Sequence, residues 1–138
     1  MSRIIHTKSP GQIRNQHRRT IAEALRRLSQ KSQIDKDAKN LASLIVFCLH
    51  GMADTVDRTI QAWEKRNYWM KAERFREEWR WVDPAADEVG AVIYEDQWDQ
   101  LPLVLAGLMP HFADITVKRM TRKPEIWRGA YEKFMQEG

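Results

Sequence analysis

The sequence predicts an all-α fold: a single-domain helical bundle of five to seven helices, with a long central helix over about residues 35–65 and a break near 65–68. Three observations carry that expectation. Apolar residues recur at three- and four-residue steps along most of the 138-residue chain. Ser9-Pro10 and Asp83-Pro84 repeat a helix-start signature, a capping side chain followed by a first-turn proline. Only Ile115-Thr116-Val117 has strand-like composition.

The elements follow in order. Ser9 offers an N-cap hydroxyl and Gln12 stands three residues on, the spacing of a capping box. From there Ile13, Thr20, Ile21, Ala24 and Leu28 place one apolar stripe on a basic helix running to about Lys31, with His17 on the same side. After a turn at 32–35, Asp35 caps the central helix, whose stripe is Leu41, Ile45, Cys48, Met52, Val56, Ile60 and Trp63. Between Leu44 and Leu49 that helix is apolar on nearly every side, which marks the buried centre of the domain.

At 100° per residue, Tyr68, Ala72, Phe75 and Trp79 form a second stripe almost opposite the first, so the apolar face changes sides. A break near 65–68 accounts for this, with Asn67 able to adopt a left-handed conformation. The alternative is a straight helix that presents an aromatic face to a partner. Asp83-Pro84 then opens a helix to about Glu95. Asp96 or Asp99 caps the next, which holds Leu101, Val104, Leu105 and Leu108. The stretch 111–120 is read as helical, and Pro124 begins a last helix with Ile126, Ala130, Tyr131, Phe134 and Met135 inward.

The whole chain, 1–138, reads as one domain, with 1–8 expected to be a flexible N-terminus. At 43% hydrophobic residues it is too apolar to be disordered. The single cysteine, Cys48, cannot form an internal disulfide, and the first residues lack the apolar run of a signal peptide, so the cytoplasm is the expected compartment. Apolar runs are far too short to span a membrane, and none is expected as a partner. There is no Gly-rich phosphate loop, no CxxC pair and no nucleophile elbow.

The net charge of +4 is unevenly spread. Residues 1–31 hold eight Lys/Arg and one acid, Glu23, whereas 81–116 hold seven acids and no Lys or Arg. Residues 117–138 carry six basic and three acidic residues. Separated blocks of opposite sign attract each other, within one chain or between two.

Three constellations follow. The basic helix carries Arg14, Arg18, Arg19, Arg26, Arg27 and Lys31, a set able to neutralise phosphates and release their counterions, or to form a solvated or internally paired face. The segment 63–81 interleaves Trp63, Tyr68, Trp69, Phe75, Trp79 and Trp81 with Lys and Arg, which suits a protein interface or stacking on unpaired bases. Its acids, Glu64, Glu73, Glu77 and Glu78, offset that charge. Finally His50, Asp54, Asp57 and Glu64 line one side of the central helix, and with Glu73 and Glu77 would form the ligand set of a divalent metal.

The leading expectation is a non-catalytic binding or assembly protein that acts through the basic helix and the aromatic-basic surface. It would self-associate as a homodimer or bind another protein, with no cofactor. The competing readings are a metal-dependent, nucleotide-pyrophosphatase-like hydrolase and a nucleic-acid-binding accessory protein.

Overall fold

A computed structural model describes residues 8–137, and within them the chain is all-α. Six α-helices run α1 Pro10–Ser29, α2 Lys36–Lys65, α3 Trp69–Glu78, α4 Val82–Tyr94, α5 Leu101–Leu108 and α6 Ala130–Glu137. Short 3₁₀ turns occupy Trp98–Gln100, Met109–Phe112 and Pro124–Ile126. The expected flexible N-terminus lies outside the described residues except for Lys8.

α1 starts with the expected capping box: the Gln12 amide donates to Ser9 Oγ, and the Ser9 amide donates to Gln12 Oε1 at 2.8 Å. α2 begins with the Asp35 carboxylate accepting from the Ala38 amide at 2.8 Å. It is the axis of the molecule, touching α1, α3, α4 and α6. Leu41, Ile45, Leu49 and Met52 are completely buried on it, each contributing about 1.5–3 kcal/mol of hydrophobic stabilisation.

α2 ends where the change of apolar face predicts. Asn67 takes φ +63°, the Tyr68 amide donates to the Trp63 carbonyl at 2.9 Å, and the Asn67 amide donates to the Glu64 carbonyl at 3.0 Å. This pair of bonds closes the helix as a Schellman motif. α3 then folds back so that Ala72, Phe75 and Trp79 pack on Val56, Ile60 and Trp63 in a small second core. Tyr68 is the exception in the expected stripe: it lies at the turn and is half exposed.

Several boundaries differ from expectation. Asp83 does not cap α4: the helix starts at Val82, because burial of Val82 and Trp81 tightens the 79–81 turn, and Asp83 lies in the first turn beside Pro84. Neither Asp96 nor Asp99 caps α5. Asp96, at φ +57°, closes α4 in a second Schellman motif, with the Gln97 amide on the Val92 carbonyl, and its carboxylate accepts from the Trp98 indole at 2.6 Å.

Residues 113–123 are not helical, although 111–120 was expected to be. They run along the polar side of α1, whose arginines and Glu23 supply the hydrogen bonds that a helix would satisfy internally. The last element is also delayed: Pro124 begins only a 3₁₀ turn, and α6 starts after Gly129 at φ +77°. Trp127, not Ile126, is the buried anchor there, its indole donating to Asp37 at 2.7 Å, while Ile126 and Met135 are exposed.

Candidate nucleic-acid interface

The basic helix is where the tertiary structure adds most. Arg14 turns away from the rest, donating to Thr55 Oγ1 and stacking its guanidinium 4.9 Å from the Phe75 ring centre. Lys31 is held by Asp35 and Asp37 at 3.1 and 3.0 Å. Arg18 forms a bidentate pair with Asp114, which lowers the pKa of that carboxyl. Among the described residues this is the single ion pair between the basic N-terminal block and the acidic block 81–116.

Arg26 and Arg27 meet neutral acceptors instead, and so does Arg19 beside its ion pair with Glu23. Arg19 donates to the carbonyls of Thr116 and Arg119, Arg26 to that of Val117 and Arg27 to that of Arg122. The segment they hold is itself basic, with Lys118, Arg119, Arg122 and Lys123. Folding therefore packs two like-charged segments side by side. Seven cations, Arg19, Arg26, Arg27, Lys118, Arg119, Arg122 and Lys123, lie on these two adjacent segments, and among the described residues Glu23 is the one carboxylate that pairs with any of them, reaching Arg19 and Arg122.

Glu23 is the one carboxylate under this face, and it is 1% exposed. Its oxygens accept from the Thr121 amide at 2.7 Å, the Thr121 hydroxyl at 2.6 Å, the Arg122 amide at 2.8 Å and Arg19 Nε at 2.8 Å. Burial pushes its pKa up, but these donors together outweigh burial and bring it down to about 2. Glu23 thus pins the C-terminal segment to α1. Above it, Arg19, Thr116, Lys118, Arg119, Thr121 and Arg122 line an open concavity of about 430 Å³.

Of the expected basic-helix set, this face keeps Arg19, Arg26 and Arg27 and adds four cations that lie about 90–105 residues further along the chain. The excess of Lys and Arg in the last 22 residues was the sequence signal for the additions. Nothing in the local pattern aligned them with α1.

The aromatic segment divides in two. Trp63, Phe75, Trp79 and Trp81 are partly buried, linked ring to ring, with Trp81 stacked on His111 at 3.8 Å. Tyr68 and Trp69 form an exposed corner with Met70 between α2 and α3. Three of the carboxylates expected to offset the segment's charge do so within it, Glu64 and Glu73 on Arg76 and Glu77 on Arg80.

The acidic line behaves differently from a ligand set. His50, Asp54 and Asp57 are all exposed, and Glu64, Glu73 and Glu77 belong to the arginine pairs just described. Among the described residues no three His, Cys, Asp or Glu side chains gather in metal-binding geometry. Cys48 is buried against α2's neighbours, and burial raises its thiol pKa to about 12. His17 packs edge-on against Gly51 where α1 crosses α2, and desolvation lowers its pKa. No helix among the described residues is long and apolar enough to cross a membrane.

No protein-family model, no characterised protein and no solved structure matches this chain.

Proposed function

We propose that the protein is a non-catalytic binding protein that holds the phosphate backbone of a nucleic acid on the face formed by α1 and residues 116–123. The observation that carries this reading is the convergence of seven cations over a single buried carboxylate. Like charges packed together destabilise a free surface, and a polyanion relieves that repulsion while releasing its own counterions. The concavity lined by Lys118, Arg119 and Thr116 offers a phosphate both charge and a hydroxyl. Arginines fixed by carbonyl hydrogen bonds are already ordered, which lowers the entropy lost on binding.

Lys118 and Arg119 are the residues to change, because both side chains are exposed and neither holds the fold together. Arg19→Glu is a poor test, since it would also unpin Glu23. Fluorescence anisotropy with single- and double-stranded oligonucleotides at low salt should show binding by the parent protein. Lys118→Glu with Arg119→Glu should weaken it and reduce the slope of log Kd against log salt by about 2, near one per lost phosphate contact. The proposal fails if the parent does not bind at low salt, or if the double variant keeps the parent's affinity and slope.

A further inference from the structure

A different part of the molecule carries an interaction surface. At the α2–α3 corner three consecutive large side chains stand in solvent: Tyr68 is 50%, Trp69 59% and Met70 73% exposed. They are flanked by Lys65, Arg66, Lys71 and Arg74, none of which forms an ion pair among the described residues. Arg76, the cation that does pair, takes Glu64 and Glu73 to itself. The corner is therefore an aromatic knob in a cationic collar, and Trp, Tyr and Arg are the residues that dominate binding hot spots.

The opposite end of the bundle has the complementary character. α2 is 30 residues long, about 45 Å, and the turn that precedes it borders a groove of about 450 Å³. Leu28, Ile34, Trp98, Leu105 and Met109 form its apolar lining, and Asp99 stands in its wall. Asp96 holds the Trp98 indole at the same edge, with Glu95 beside it. Glu95, Asp96 and Asp99 have no ion-pair partner among the described residues, and the one lysine in the lining, Lys31, is already held between Asp35 and Asp37. The groove is apolar, with an acidic rim on its 95–99 side and Lys39 lying over the Trp98 ring at 5.5 Å.

We propose that the occupant of this groove is the α2–α3 corner of a second copy, with Trp69 and Met70 in the apolar lining and Lys71 and Arg74 against the Glu95–Asp99 rim. In this arrangement the contact is end-on, the knob of one copy in the groove of the next: each copy uses one surface and leaves the other open, so the assembly grows as a chain instead of closing as a dimer. This rests on residues separate from the proposed nucleic-acid face.

Sedimentation velocity of the full chain, up to roughly 100 µM, where a micromolar contact is saturated, reads the outcome directly. The parent protein should show a mass that rises past the dimer with concentration and falls as salt increases. Trp69→Ser removes the knob and Ile34→Glu spoils the groove. Both positions are on the surface, and an unchanged helical circular dichroism spectrum shows that the fold survives. Each variant alone should have its self-association weakened about a hundredfold or more, which leaves it largely monomeric at about 10 µM, where the parent is assembled. Mixed in equal amounts, one supplies an intact groove and the other an intact knob, so the pair should form a dimer and stop there. A monomeric parent, a parent that stops at the dimer, assembly that persists in either variant, or a mixture that stays monomeric overturns the proposal. Oligonucleotide binding by both variants keeps this result separate from the fate of the nucleic-acid reading.

Discussion

Changing Glu23 to Gln removes one charge at nearly constant volume and tests whether the buried carboxylate pins the C-terminal segment. The carboxyl falls from an ordinary value of 4.5 to about 2 in the folded chain, because four donors outweigh its burial. A lowered folded-state pKa means that its stabilisation is complete above the unfolded value and is lost as pH falls from about 4.5 toward 2. The difference corresponds to about 3 kcal/mol at neutral pH, of which roughly 1 kcal/mol survives at pH 3. Urea denaturation of parent and variant at pH 7 and pH 3 measures both ends. We expect Glu23→Gln to be less stable by about 2–3 kcal/mol at pH 7, with that gap shrinking by about 2 kcal/mol at pH 3. An equal gap at the two pH values, or a variant as stable as the parent at pH 7, would refute the reasoning.

Two further predictions concern the helix framework. A Cβ on Gly51 would run into the His17 imidazole, 2.8 Å from its Cδ2 and Cε1, so Gly51→Ala should cost about 1 kcal/mol or more in the parent. In a His17→Ala background the same change should stabilise by up to about 1 kcal/mol through helix propensity, and thermal melts giving one sign in both backgrounds would contradict the tight α1–α2 crossing. Asn67 holds φ +63° at the end of α2, so Asn67→Gly should be neutral or stabilising and Asn67→Ala should destabilise by about 1 kcal/mol in chemical denaturation. The reverse order would contradict the left-handed closure.

The readable parts of the fold were those set by local chemistry. Ser9 and Gln12 form their box, Asp35 caps α2, and the rotation of the apolar stripe between Trp63 and Tyr68 marks the break that Asn67 closes. Each depends on neighbours within about four residues, where spacing is enough to specify the contact. The misplaced elements depend on distant partners. Residues 113–123 have a pattern compatible with a helix, but α1 lies alongside and satisfies their backbone groups, so the extended course wins. Trp127 went unrecognised as an anchor because its acceptor, Asp37, is 90 residues away.

Charge shows the same division. Basic and acidic residues fall in separate blocks along the chain, and α1 is a basic amphipathic helix with a single acid. Opposite blocks suggested mutual attraction, yet among the described residues only Arg18 and Asp114 meet. The tertiary structure decided that α1 would be joined by the other basic segment. A guanidinium can spend its donors on backbone carbonyls when no carboxylate is in reach, and the buried, fully hydrogen-bonded Glu23 holds the two segments together. Charge counts along a chain record how much of each sign is present. Which cations end up on one face is set by backbone acceptors and packing, and those exist only once the chain has folded.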